Sequence, residues 1–596
     1  MSDATTVKYA DLVAEWLEDL GYTHCFFVAG GNIMHLLDGM RKRMTCVPFV
    51  HEVAAGIAAE YFNESGGQGR AFALVTAGPG LTNVMTAVGG AWLESHELLV
   101  LGGQVKSTDL ARREVRQRGI QEIDGRDIAA PVTKLSVTLE QPISHAQFVA
   151  YVEEARTPRK GPVFLEFCLD AQGAPVDRTA LEAAAPAPRP QLPVAGDEVV
   201  AQIRGLLADA QRPVILIGGG VSRDVAHAAR PLLAAAEIPV LTTWNGMDRV
   251  DSADPFYFGR PNTWGQRSAN IIMQSADVLL AIGTRLGLQQ TGFNWQEFVP
   301  GGTVIQVDID EAELQKGHPH VEVPVCADAD DLLPRILDGL HAGPEVGDWR
   351  AFCRHVREQL PLADPENTHA PGFIEPYEWI QALAERCTPD DVIVPASSGG
   401  PFTFCMQAFQ QKAGQPIVTN KGAASMGYGL SGAIGASLAH PGRRTVLVEG
   451  DGGFVQNLQE LAIVAVNDLP LKAFVISNEG YASIRMTQRN YFGGEYLGCD
   501  TQTGLGFPDW LTLFQAFGIP AVELGEDWAE NPRFAELWSS PSPAGFVVRV
   551  DPEQTYFPKI SSRVTESGSM ESNPLHRMSP DLPPEIEADV LRHLPT

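Results

Sequence analysis

Between positions 445 and 481 the chain sets apolar runs against glycine-rich breaks. Val446, Leu447 and Val448 lead to Gly450-Asp451-Gly452, helical spacing follows over about 457–466, and Phe474, Val475 and Ile476 lead to Asn478-Glu479-Gly480. The pattern predicts a strand, a helix and a second strand, with the strands parallel. Earlier, Tyr9, Leu12, Val13, Trp16, Leu17 and Leu20 recur at helical spacing and Gly21 ends the helix. The strand CFFV reaches the loop Ala29-Gly30-Gly31-Asn32, and CVPFV stops at His51-Glu52 just before the helical stretch VAAGIAAEYF. Residues 73–105 read as strand, glycine-rich turn (Gly78-Pro79-Gly80), helix and strand.

After Phe167 the pattern changes. Residues 171–194 are Ala/Pro-rich with little periodicity, which predicts a linker. From 195 to 340, the strands PVILIG, PVLTT, VLLAIG and TVIQVDID alternate with helical stretches, implying a second α/β layer. A second linker is expected over 342–371, and VIVPASSGGPF opens a third α/β segment. The stretch from Gln554 is polar and Pro/Ser-rich, and reads equally as a disordered tail or as a flap over an active site. The expected architecture is therefore α/β with three doubly wound parallel-sheet domains, at 1–172, 195–341 and 372–560, followed by a tail or flap at 561–596.

At 596 residues, the chain has room for about three or four domains of ordinary size. Its formal charge of -29, with no Lys/Arg block above the acidic background, argues against a nucleic-acid partner and serves solubility. Eight cysteines lie scattered without C-x-x-C spacing, so neither a zinc site nor a disulfide framework is expected. The start MSDATTVKYADLV lacks a basic-then-apolar signal pattern, and no apolar run approaches the roughly 20 residues of a membrane span. A cytoplasmic location without membrane partners follows as the expectation.

Candidate chemistry concentrates at strand ends. Parallel strands would bring Asp451 and Asn478 to one carboxyl edge, where doubly wound sheets hold ligands. A carboxylate, an amide oxygen and the Gly480 carbonyl suit a hard cation such as magnesium, with phosphate oxygens completing the octahedron. Glycines let backbone N–H groups approach those phosphates at a helix amino end. Alone, Gly-Asp-Gly is more simply a turn with a solvated Asp; the Asn-x-Gly after the next strand turns the reading toward a site. Glu52, where a strand meets a helix, is either a dipole-stabilised first-turn residue or a reactive carboxylate.

Gly-Asp-Gly, about 25 residues and then Asn resembles the metal-diphosphate motif of thiamine diphosphate (ThDP) enzymes, here with NEGY in place of Asn-Asn. The resemblance implies magnesium (Mg2+) on the side chains of Asp451 and Asn478 and the carbonyl of Gly480. It sets Gly450, Gly452, Gly453 and Tyr481 at the cofactor, and gives Glu479 no metal role. HEVAAGIAAEYF resembles the HEQ-A-x-x-A-A-E signature of the acetolactate synthase group, with Val53 where Gln is usual. By that likeness Glu52 bonds the aminopyrimidine and shifts it to the tautomer that deprotonates the thiazolium carbon. Gly78, Pro79, Gly80, Thr82 and Asn83 are similar to the GPG-x-TN element that packs against a partner subunit. RGIQEIDGRD resembles the F-Q-E-x-D segment, with Ile120 for the aromatic residue, and sets Gln121 near the substrate. Gly30, Gly31 and Ser397 fall at cofactor positions, and Met426 at the wedge that bends the cofactor. Arg485, Gln488 and Phe492 are read as wall over the thiazolium ring. His35 and His51 either face the cofactor or are structural. In the middle domain Gly218, Gly219, Gly220, Thr243, Arg285, Asp308 and Ile309 match positions that contact a non-redox FAD. GRPNTWG and GTRLGLQQTG depart from that group's usual loops while keeping Arg285.

The resemblance covers nearly the whole chain and implies a carboligase that decarboxylates a 2-oxo acid, most simply pyruvate, and adds the two-carbon unit to a ketone or 2-oxo acid. NEGYASIRMTQRNYFGG and the tail look most like flavin-containing carboligases that attach a two-carbon branch to keto-deoxysugars. The rivals are a C–C hydrolase of a cyclic 1,2-diketone, a simple decarboxylase and a non-catalytic regulatory homologue, the last disfavoured by the presence of Glu52 and the metal ligands. Glu52 and Asp451 would meet from different subunits, so a homodimer or homotetramer with sites between subunits is expected.

Overall fold

The structure, a computed structural model, describes residues 6–341, 343, 346–564 and 570–594. The first five residues of the stretch read for a leader, positions 342, 344 and 345 of the second expected linker, and positions 565–569 and 595–596 of the expected tail or flap lie outside the described residues.

The chain folds as two compact units, the first gathering residues 1–191, 391–401 and 416–549. It holds two parallel sheets. Strands β1 (Tyr22–Phe27), β2 (Thr45–Pro48), β3 (Arg70–Val75), β4 (Leu98–Gln104), β5 (Leu135–Leu139) and β6 (Pro162–Cys168) pair in the order β2-β1-β3-β4-β6-β5. Every residue of β4 and β6 is buried, as strands covered by helices on both faces must be. Helix α1 (Tyr9–Asp19) buries Tyr9, Leu12, Val13, Trp16 and Leu17, the face its spacing predicts. Helices α2 (Glu52–Glu64) and α3 (Pro79–Glu94) follow β2 and β3.

The second unit gathers residues 192–390, 402–415 and 550–596. Its sheet contains β7 (Pro213–Ile217), β8 (Val240–Thr242), β9 (Val278–Ile282), β10 (Thr303–Asp308) and β11 (Val323–Cys326), all parallel, in the order β8-β7-β9-β10-β11. One expectation changes here and one of two alternatives is narrowed. The second expected linker holds a helix over Val346–Gln359, with Val346, Trp349, Phe352, Cys353 and Val356 buried; its apolar positions are spaced helically but diluted by charge. The polar tail is anchored rather than loose over its described part, because Leu575, Met578 and Val590 join a buried cluster with Ile271, Trp349 and Phe352.

The remaining sheet belongs to the first unit, with β12 (Val392–Pro395), β13 (Thr445–Gly450), β14 (Leu471–Ser477), β15 (Ala521–Leu524) and β16 (Ala544–Arg549) in the order β12-β13-β14-β16-β15. Helix α4 (Tyr428–Ala439) precedes β13 and packs on α2, and their small side chains let the backbones nearly touch. A Cβ at Gly435 would lie 2.0 Å from the Ala58 carbonyl oxygen, and one at Gly432 would lie 2.4 Å from the Tyr61 ring. The two sheets of this unit therefore share one core, in which Ala54, Ala55 and Ile57 meet Leu430, Ala433 and Ile434. The helix expected near 457–466 is broken into α5 (Asp451–Phe454), a 3-10 segment over Val455–Glu460 and α6 (Leu461–Val466). Among the described residues no helix is long and apolar enough to cross a membrane.

Candidate active site

β13 and β14 are adjacent and parallel, with Gly450 opposite Ile476, so the turns that leave them emerge side by side. Asp451 begins α5 with 2% exposure. Its Oδ1 accepts the Gly452 N–H at 2.7 Å, and its Oδ2 accepts those of Asn478 at 3.1 Å and Gly480 at 3.2 Å. Burial pushes this carboxyl up to about 7, against the pull of those N–H donors. A carboxylate so desolvated is stabilised by a cation. The Asn478 amide side chain makes no hydrogen bond among the described residues, and the Gly480 carbonyl accepts only the Ala482 N–H, at 3.0 Å. Oxygen donors of this kind fit Mg2+. The glycines are steric necessities: a Cβ at Gly452 would stand 2.3 Å from the Tyr481 ring, and one at Gly480, where φ is +142°, 2.0 Å from the Cys499 carbonyl oxygen.

Gly453 lies against a residue the sequence reading missed. A Cβ there would meet Glu449 Oε1 at 2.3 Å, and burial pushes the Glu449 carboxyl up to about 8. Ser397, after β12, donates its hydroxyl to the Ser425 carbonyl. Met426 follows, 36% exposed, and Gly427 turns the chain into α4 at φ +84° while Asn457 donates to its carbonyl at 2.7 Å. An apolar side chain is thus presented at a loop held on both flanks.

Glu52 opens α2 with 7% exposure, and its Oε2 accepts the Asn83 side-chain amide at 2.9 Å. Its Oε1 has no hydrogen-bond donor among the described residues, which suits an acid or base with one oxygen fixed and one available. Gly78 takes φ +67°, and a Cβ there would lie 2.3 Å from the Gln121 carbonyl oxygen; Gln121 itself sits at φ +64° and is exposed. Gly30 packs on Thr76, while Gly31 has open space beside it. The His35 ring lies against Gly173. The amide groups of Val50 and His51 are held by Glu460, at 3.2 and 3.0 Å. Glu460 went unread in the sequence because it sits inside the apolar run LQELAIV, and its only signal is a charge where the pattern wants none.

The structure therefore joins Glu52 with Asn83, Gly78 with Gln121, and Asp451 with Gly452, Asn478 and Gly480. No hydrogen bond links Glu52 to Asp451 within the described chain.

In the second unit, the residues matched to a flavin all sit at carboxyl ends of strands: Gly218, Gly219 and Gly220 after β7, Thr243 after β8, Arg285 after β9, and Asp308 with Ile309 at β10. The order β8-β7-β9 puts the topological switch between β7 and β9, the crevice where such sheets bind dinucleotides. The Gly220 N–H donates to the Gly283 carbonyl at 2.9 Å, and Arg249 donates to the Gly219 carbonyl at 3.1 Å. Gly219, Gly220 and Arg285 are exposed on this edge, so bare backbone and a guanidinium face outward there, which fits an anionic dinucleotide.

Three family models match the chain: the N-terminal TPP binding domain of thiamine pyrophosphate enzymes over residues 7–128, the central domain over 200–336 and the C-terminal TPP binding domain over 399–538. Among curated relatives, acetolactate synthase isozyme 1 large subunit of Escherichia coli K12 is 28% identical over 92% of this chain and 95% of its own. The acetolactate synthase large subunit of Corynebacterium glutamicum is 29% identical over 86% and 82%. Acetolactate synthase 1, chloroplastic, of Zea mays is 28% identical over 93% and 87%.

Proposed function

Because the chain belongs to the thiamine pyrophosphate enzymes and is an acetolactate synthase-like, ThDP-dependent carboligase, we propose that its donor is a 2-oxo acid, most simply pyruvate, and its acceptor a ketone or a second 2-oxo acid. The observation that carries this reading is the Asp451 carboxylate bonded to the backbone of the turn that holds Asn478 and Gly480. Asp451, Asn478 and the Gly480 carbonyl would hold Mg2+, and the lack of side chains at Gly450, Gly452 and Gly453 would let the diphosphate approach the backbone of this turn. When bound, ThDP supplies a carbon nucleophile and an electron sink for loss of carbon dioxide.

The chain's own groups do the rest. Asn83 fixes one oxygen of Glu52, and the other holds or releases a proton toward the aminopyrimidine. Met426 would pack against the cofactor, and Gln121 would orient the acceptor. Residues 1–172 serve as the pyrimidine-binding domain, 195–341 as the middle domain and 372–560 as the diphosphate-binding domain. FAD in a structural role would lie at the switch point of the second unit, a reading supported by the exposed Gly219, Gly220 and Arg285. The working unit is a homodimer or homotetramer; Ile120, Phe492 and Leu497, exposed at 84%, 64% and 77% on loops that carry the site, support a covering partner copy. Eight free cysteines fit a reducing cytoplasm.

The test is product analysis with pyruvate, ThDP and Mg2+, without and with an added ketone. A new carbon–carbon bond is expected. Acetaldehyde as the sole product under both conditions would sink the carboligase reading.

A further inference from the structure

Arg485 is 4% exposed on helix α7 (Ala482–Tyr491), beyond the turn that carries Asn478 and Gly480. It faces back onto that turn. Its Nη2 donates to the Asn478 carbonyl at 2.5 Å and its Nη1 to the Glu479 carbonyl at 3.1 Å. Asp451 Oδ2 meanwhile accepts the N–H groups of Asn478 and Gly480. The turn is gripped from both sides, by a carboxylate on its amides and a guanidinium on its carbonyls.

The conformation requires such a grip. Glu479 lies at φ +61°, a region side chains with a Cβ rarely adopt, and Gly480 at φ +142°. The Asn478 and Glu479 carbonyls are thereby turned toward Arg485, while the Gly480 carbonyl accepts the Ala482 N–H and no bond from the guanidinium among the described residues. α7 is tied in turn to the following chain. Gln488 accepts the Leu497 N–H at 3.0 Å and donates to its carbonyl at 3.1 Å, while the Tyr481 N–H donates to the Cys499 carbonyl at 2.8 Å.

We infer that Arg485 is the positioning residue of the cation-binding turn, and that through it occupation of the turn orders the segment 478–500. The inference rests on the magnesium reading above. A planar fork can hold two neighbouring carbonyls at once, which a lysine ammonium, a point charge on a flexible stem, cannot do in a fixed geometry.

The experiment compares wild type, Arg485→Met and Arg485→Lys. Mg2+ is titrated calorimetrically into metal-free protein at saturating ThDP, and amide hydrogen exchange is read over 478–500 with and without Mg2+. In wild type, Mg2+ should slow exchange throughout 478–500. In Arg485→Met the Mg2+ affinity should fall by about tenfold or more, the scale of losing charge-assisted hydrogen bonds, and the slowing should vanish beyond Gly480. Arg485→Lys should fall between the two. Wild-type Mg2+ affinity and wild-type protection in Arg485→Met would overturn the inference. Should Arg485→Met fail to fold, wild-type values in Arg485→Lys would do the same. A wild-type protein that binds no Mg2+ with ThDP would instead overturn the cofactor reading, and this inference with it.

Discussion

The Tyr428 hydroxyl donates to Glu60 Oε2 at 3.2 Å, so the helix that starts at Glu52 and the helix that starts just after Met426 are pinned by one buried contact. His96 at 2.8 Å and Asn420 at 2.9 Å bond the other oxygen of Glu60. Tyr428→Phe removes a donor from a carboxylate with 0% exposure and should cost about 1–3 kcal/mol, read as a lower denaturant midpoint at unchanged slope.

His96 makes the same cluster pH-sensitive. Burial alone would lower its pKa, but the carboxylates of Glu64, Glu60 and Glu94 outweigh it and raise it to about 9. The folded chain therefore holds a proton that the unfolded chain releases near 6.5, so this stabilisation is complete below pH 6.5 and lost as pH rises through 9. Glu449, pushed up to about 8 by burial, acts in the same direction. The melting temperature should drop between pH 6.5 and pH 9, with a slope of at most about 1.4 kcal/mol per pH unit per group. His96→Gln should flatten the fall above pH 8; an equally steep fall in that variant would remove His96 from the account.

Glu52→Gln keeps the size of the side chain and its contact with Asn83 while removing the group that exchanges a proton. Turnover should fall about 100-fold or more, with ThDP affinity changed only a few-fold. Undiminished turnover would be incompatible with the proposed role.

Asp451→Ala should abolish Mg2+-dependent binding of ThDP in a calorimetric titration, and a chelator should do likewise to the parent protein. The variant also takes the acceptor from the Gly452, Asn478 and Gly480 N–H groups, so it should lose about 1–3 kcal/mol of stability while relieving the buried carboxylate, and circular dichroism checks that the fold is kept. If Asp451→Ala bound the cofactor normally, the metal site would have to lie elsewhere.

Flavin occupancy can be read from the absorbance of the purified protein. A flavin band is expected, and Gly220→Val should diminish it, since a Cβ there already lies 2.9 Å from Gly283 and the bare backbone of this loop would be covered. A colourless parent protein, unchanged on adding FAD, would dispose of the flavin assignment.

Much of this was legible in the sequence because parallel strands are covered on both faces. A segment such as Val446-Leu447-Val448 must be apolar throughout, and the residues that interrupt it mark the carboxyl edge where ligands sit. Glycines at 452 and 480 were equally legible, since no other residue satisfies the steric demand. Arg485 was not. The sequence reading set it in the wall over the thiazolium ring and did not foresee that its guanidinium bonds the carbonyls of the turn before it, a contact that no period encodes. Glu60 and Glu460 escaped for a related reason: their partners Tyr428 and His51 lie hundreds of positions away, and nothing local encodes such a distance.

The three parallel sheets, the turns that end their strands and the chemical kinds of donor those turns present are all written in the order of residues. Each follows from local burial and from the conformations that individual residues permit. That α2 and α4 meet backbone to backbone, that Glu60 fastens them, and that Asp451 and Arg485 hold one turn from opposite sides emerges with the folded arrangement alone. Those outcomes depend on which surfaces come together in space, and close packing of small side chains fixes that only when the chain is folded.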